Sequence, residues 1–182
     1  MLENPDYLAL SDAALLAQCE VNVTRASGPG GQHRNKVSTA VRLRHRPTGV
    51  SAGGEEWRSQ QENRRQALAR LRMKIACEVR RPVDPAAVPE VVRACLFVPR
   101  GHRDPSVPAA GHRLQVGRKD QRYCPVAAFL LDLLEAHLGR LAEAAAVLDI
   151  STSNLVSVLK DDRHLFVAAA VIRQRHGQGP LK

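Results

Sequence analysis

Ser27-Gly28-Pro29-Gly30-Gly31-Gln32-His33-Arg34-Asn35-Lys36 is the stretch that decides how the rest of this 182-residue chain is read. Three glycines and a proline fill positions 28–31, and a single neutral amide, Gln32, follows directly. Such a loop adds little to a core. It can present backbone N–H groups and one side chain to a bulky anionic partner, and the basic residues behind it suit that task.

Outward from the loop, both flanks alternate. Glu20-Val21-Asn22-Val23-Thr24-Arg25 switches between polar and apolar with the period of a half-buried strand, and so does Ser38 to His45. Arg46-Pro47-Thr48-Gly49 is a turn signal, so Val50–Gly54 is expected to return as the second arm of a hairpin. Ser59 with Glu62 three residues on forms a capping box. The helix it opens carries Leu68, Leu71, Ile75 and Val79 on one face, with Arg64, Arg65, Arg70, Arg72 and Lys74 largely off it. Arg81-Pro82 ends it, because proline disfavours helix at the preceding residue. Upstream, Ser11-Asp12 starts a short helix over Ala13–Cys19. Residues 1–80 therefore read as an α+β unit: helix, strand, glycine loop, hairpin, long helix.

Residues 81–122 change character. Six prolines fall here, and Arg100–Arg122 holds six Lys or Arg against two Asp. A basic, largely extended linker is expected, with a short helix or strand in Pro89–Val98. Residues 123–182 read as an all-α module. Its helices are Val126–Leu138 (with Pro125 suited to the first position), Leu141–Leu148, Thr152–Lys160 and Leu165–Arg175. The second and third, joined by a tight turn, resemble a helix-turn-helix.

Composition narrows the function. Net charge is +9, with 44% hydrophobic residues and only 3% aromatics. A strongly basic small protein with an aliphatic core points to nucleic acid or another anionic surface. Cys19, Cys77, Cys95 and Cys124 are widely spaced with no CxxC pair, which supports neither a zinc site of that spacing nor a disulfide framework. The N-terminus lacks the basic and apolar segments of a secretory signal, and no apolar run approaches bilayer length. A cytoplasmic protein with reduced thiols, no metal, no cofactor and no membrane partner is expected.

The extended pattern RASGPGGQHRNKVSTAVRLRHRPTG, followed by Arg58-Ser59-Gln60-Gln61-Glu62-Asn63-Arg64, resembles the catalytic domain of class-I peptide chain release factors. It is equally similar to that of the codon-independent ribosome-rescue hydrolases. The resemblance runs from about Glu20 to Ile75. It implies hydrolysis of the peptidyl-tRNA ester at the peptidyl transferase centre of the large ribosomal subunit. Gly30, Gly31 and Gln32 would then be the catalytic residues. Glycines without Cβ let the backbone approach the tRNA end closely, and the Gln32 N–H can donate to a developing oxyanion or leaving oxygen. The Gln32 side chain can position water, but a carboxamide does not titrate near neutral pH and cannot be a general base. No Ser/His/Asp set or carboxylate pair stands in for one, and His33 is read as an RNA contact before a base. Arg25, His33, Arg34, Asn35 and Lys36 are the candidate contacts to ribosomal RNA. Arg58 and Arg64 either extend that surface or, for Arg58, simply start the helix. In bacterial members of the family the glutamine is often N-methylated, which suggests a glutamine methyltransferase acting on Gln32.

The chain departs from the family in two ways. Only about 20 residues precede the first matching strand, so release without a stop codon, as a monomer, is the expectation. The rescue hydrolases typically end in a Lys/Arg-rich tail, whereas this chain ends in the helical module. Either residues 100–122 take the tail's part or the module docks on ribosomal RNA. A second class of function is a nucleic-acid-binding regulator with helix 152–160 as its recognition helix, presenting Thr152, Ser153, Asn154, Ser157 and one lysine.

Overall fold

The computed structural model describes residues 6–24, 39–84, 86–98 and 111–181, and the fold is α+β. The chain divides into two units, Met1–Val79 and Arg80–Lys182.

The first unit is built on a three-stranded antiparallel sheet in the order β1 (Cys19–Thr24), β2 (Ala40–His45), β3 (Ser51–Gly54). Its register pairs Val21 with Leu43 and Ala52 across the sheet, and Val23 with Val41 and Gly54. Helix α2 (Gln60–Glu78) lies across β2 and β3 and buries Ala67, Leu68, Leu71 and Ile75 against them. Ser59 caps it as the capping box predicts, its side chain accepting from Glu62 N–H. Contact this close depends on Gly54. A Cβ there would collide with the backbone carbonyl of Asn63 and lie 3.1 Å from Ala67 N. Strand β1 lies at the edge, and α2 packs chiefly on β2 and β3. Its Val21 and Val23, expected on a half-buried strand, stay 40% and 39% exposed.

At the other end of the sheet, α1 (Asp12–Ala17) starts on Ser11, whose side chain accepts from Ala14 N–H, and buries Leu15. The β2–β3 turn closes with His45 N–H donating to the Val50 carbonyl and Gly49 N–H donating to the His45 carbonyl, and Gly49 supplies its positive φ of 72°. His45 is fully buried. Its Nε2 bonds Gln18 Oε1 at 3.0 Å, its Nδ1 bonds Thr48 Oγ1 at 2.8 Å, and Tyr7 packs edge-on at 4.6 Å. The neutral ring satisfies this set, with Nε2–H donating to Gln18 and Thr48 O–H donating to Nδ1. Arg72 ties the lead-in to α2, donating to the carbonyls of Leu8 and Leu10 and to Asp12 at 2.8 Å.

The second unit is organised around α4 (Tyr123–Ala136), apolar on nearly every side and buried from Val126 to Leu134. A helix hydrophobic all round needs neighbours all round. Among those packed on it are α3 (Glu90–Arg93), α5 (Leu141–Val147) and α7 (Arg163–Arg175). Helix α6 (Thr152–Lys160) packs on α5 and α7, and the α5–α6 connection is a short turn through Leu148–Ser151. Pro125 is the third residue of α4, not the first, and the N-cap is Arg122. The buried acidic group of α4 is Asp132, 1% exposed. It accepts from Arg80 at 2.9 Å and from Arg81 N–H at 3.1 Å, with Arg81 Nε a further contact at 3.6 Å. Burial pushes its carboxyl above the ordinary carboxylate range, and outweighs the pull of the two guanidinium groups.

The described part of 81–122 differs from an extended linker. It carries α3 and a ribbon of β4 (Leu96–Phe97) with β5 (Arg113–Leu114), and it buries Val92, Cys95, Leu114 and Val116. The helix and strand at 90–97 fall where a short helix or strand is expected, whereas β5 is not anticipated, because two residues are too few to show a period. Leu114 is held by a side chain 40 residues away, Asn154, which bonds both its N–H (2.7 Å) and its C=O (3.1 Å). Among the described residues no helix is long and apolar enough to cross a membrane.

Two outcomes follow from the buried polar groups. Asp132→Ala removes the buried carboxylate that Arg80 and Arg81 both contact, and should destabilise the chain by about 2–4 kcal/mol in denaturant titration. Burial lowers the pKa of His45 in the folded state, so the unfolded chain binds more protons. The His45 contribution is therefore intact above about pH 6.5 and lost as pH falls below it. The unfolding midpoint should drop across that window in the wild type and lose that component in His45→Gln.

Candidate nucleic-acid interface

Residues 25–39 join β1 to β2, and the two strands meet at the paired residues Thr24 and Ala40. The loop therefore leaves and re-enters the fold across one rung of an antiparallel ladder. Arg25, Gly30, Gly31, Gln32, His33, Arg34, Asn35 and Lys36 all lie outside the described residues. The structure does describe the stem that carries them.

That stem is tied to α2 by Asn63, which is completely buried. Its Nδ2 donates to the carbonyl of Thr39 (2.8 Å), the residue just before β2, and to the carbonyl of Trp57 (2.8 Å). Its Oδ1 accepts from Trp57 N–H at 2.9 Å. One amide thus spends both kinds of hydrogen-bonding capacity on main chain, linking the loop stem to the segment that leads into α2. Sequence reasoning missed it, although a signal exists. Stepping back by fours from Ile75 through Leu71 and Ala67 reaches Asn63, so a polar residue occupies an inward position.

Arg58 and Arg64 flank this latch, both exposed and neither with an ion-pair partner among the described residues. Arg42, on the solvent side of β2, is in the same condition. Neighbouring cations are already engaged: Arg70 with Glu56 at 2.6 Å, Arg65 with Glu62 at 3.2 Å, Arg44 with Glu20 at 3.7 Å. In the second unit much of the basic charge is likewise committed. Arg122 pairs with Asp120 at 2.6 Å, Arg140 with Glu143 at 2.5 Å and Arg175 with Glu135 at 3.3 Å. Arg173 donates to the carbonyls of Gly139 and Gly179. Asn154, counted on the presented face of helix 152–160, is spent on Leu114. Thr152, Ser153, Ser157 and Lys160 line an open groove of about 710 Å³ with Leu141 and Val156. Burial raises the thiol pKa of Cys19 and of Cys95, which keeps both protonated and unreactive. Among the described residues no cluster of His, Cys, Asp and Glu could hold a metal ion.

Residues 15–87 match the family model of the RF-1 domain. Peptide chain release factor 2 of Lactiplantibacillus plantarum is 52% identical over 56 residues, 31% of this chain and 15% of the relative. Peptide chain release factor 1 of Latilactobacillus sakei is 42% identical over 71 residues, 39% of this chain and 20% of the relative. Over this stretch the chain is similar to class-I peptide chain release factors. It spans only 15% and 20% of the lengths of these two relatives, so the likeness is that of one domain.

Asn63→Ala removes three hydrogen bonds to main chain and leaves their partners to seek water. It should lower stability by about 2–3 kcal/mol, measured by urea unfolding. Asn63→Asp keeps the acceptor for Trp57 N–H but puts a second acceptor against two carbonyls, and should not restore the loss.

Proposed function

We propose that this chain releases nascent peptide from stalled ribosomes by hydrolysing the peptidyl-tRNA ester, without reading a stop codon. The observation that carries the reading is the RF-1 match over the unit whose β1–β2 stem bears Gly30-Gly31-Gln32. The finer part, independence from a codon, rests on the resemblance of the glycine motif and its flanks to the codon-independent rescue hydrolases, and the release test below decides it.

In this mechanism water attacks the ester carbonyl and the tRNA 3′ oxygen leaves. The main-chain N–H of Gln32 donates to developing negative charge, and its side chain orients the water. Preorganised donors of this kind are typically worth on the order of 10²–10³ in rate. Proton transfer falls to groups of the ribosome and tRNA, since a carboxamide does not titrate. Arg25, His33, Arg34, Asn35 and Lys36, with Arg58 and Arg64, would hold the loop to ribosomal RNA through contacts that position it. The chain would act as a monomer in the cytoplasm, with Gln32 a substrate for N-methylation that intact-mass measurement of native protein would detect. The regulator reading, with α6 as recognition helix, has less support. Asn154 is occupied, and Lys160 is the only cation in that helix.

The test is peptide release from ribosomal complexes carrying mRNAs of defined length beyond the P site, with and without a stop codon. Release independent of the stop codon, and negligible hydrolysis of free peptidyl-tRNA, is expected. Equal hydrolysis with and without large subunits would overturn the mechanism. Gly31→Ala obstructs close approach and should slow release about 10²-fold or more. Gln32→Ala should slow release while ribosome binding persists.

A further inference from the structure

We infer that Trp57, the only tryptophan of the chain, is a stacking platform for an unpaired base of the RNA that this unit docks on. The inference rests on the ribosomal reading for the identity of the RNA, and on the geometry below for the site.

Trp57 is 57% exposed, among the most exposed of the large apolar side chains described. An indole left largely in water forgoes much of the gain from burial, so its position calls for an explanation. It is not on a loose tether. Both its N–H and its C=O are held by the fully buried Asn63, at 2.9 and 2.8 Å. The ring is therefore carried by a fixed backbone, which reduces the ordering cost of a contact.

The surroundings select the partner. The sequence neighbours Glu55, Glu56, Arg58, Ser59, Gln60 and Gln61 are all exposed, and none is apolar. A protein-docking hot spot sets its aromatic among other buried apolar groups, and that setting is missing among these neighbours. A flat π surface ringed by polar groups suits the face of a nucleobase. Charge agrees. Arg70 compensates Glu56 and Arg65 compensates Glu62, so Arg58 and Arg64 outweigh the remaining carboxylate, Glu55. Those two guanidinium groups supply positive charge for the phosphates of a bound strand.

Because Trp57 is the sole tryptophan, its fluorescence reports the contact directly. The full-length chain is titrated with oligoadenylate, oligouridylate and purified large-subunit ribosomal RNA, exciting at the red edge of indole absorption. Quenching that saturates with binding is expected. Trp57→Ala should weaken binding about 5- to 150-fold, the equivalent of one stacked base. Trp57→Phe, which keeps a π face, should stay within a few-fold of wild type. Arg58→Ala should reduce the magnitude of the salt slope by about 0.7, whereas Trp57→Ala should leave it unchanged. Both Trp57 variants keep the main-chain groups that bond Asn63, and matched unfolding midpoints verify their folds. Emission unchanged at saturation, equal affinity in Trp57→Ala, or a response only to RNA-free ribosomal protein would each overturn the proposal. In release assays Trp57→Ala should raise the half-saturating ribosome concentration and leave the maximal rate intact. If Gln32→Ala releases peptide normally the hydrolase reading fails, while the quenching data still decide the fate of Trp57.

Discussion

One buried amide sets the geometry of the first unit. Asn63 bonds the carbonyl just ahead of β2 and both main-chain groups of Trp57, from the first turn of α2. These peptide groups belong to irregular segments, where no ladder or helix supplies their partners, and leaving them unpaired in a partly buried place costs more than a made bond returns. The same turn of α2 can sit this low on the sheet because Gly54 has no side chain. A glycine, an asparagine and a capped helix start thus cooperate to define where residues 25–39 begin and end.

Much of this unit could be read from sequence because its signals are local. The Ser59 cap, the α2 stripe and the Pro47–Gly49 turn each declare themselves within a few residues. Other features depend on contacts distant in sequence. Alternation in β1 correctly marks a strand, but whether Val21 and Val23 are covered depends on how far α2 extends across the sheet. The ribbon of β4 and β5 has two residues a side, too few for any period, and its burial depends on Asn154. Proline content suggested a linker there; Pro89 instead serves as the N-cap of α3. At the candidate site, glycine and basic residues announced the loop, whereas Asn63 and His45 were hidden inside patterns read as apolar.

Both units commit part of their positive charge to internal contacts and leave part facing solvent. In the second, arginines mostly close the fold on itself: Arg173 spans Gly139 and Gly179, and Arg80 and Arg81 neutralise Asp132. In the first, Arg42, Arg58 and Arg64 have no ion-pair partner among the described residues and face solvent. The formal charge of +9 already counts each Arg–carboxylate pair as zero, so the excess resides in cations without an acidic partner, Arg42, Arg58 and Arg64 of the first unit among them.

The Thr24–Ala40 rung has a consequence for how such a domain can diversify. Its two ends are a neighbouring pair in a ladder whose register is held by Leu43 and Val41 below. A segment inserted between them closes a ring whose mouth is already shut, so lengthening it adds only a slowly growing entropic term. The stem behaves as a socket. Sequence between Thr24 and Thr39 can be exchanged while the Asn63 bond to Thr39 and the Thr24–Ala40 rung stay in place, so a new tip can be tried on an unchanged handle.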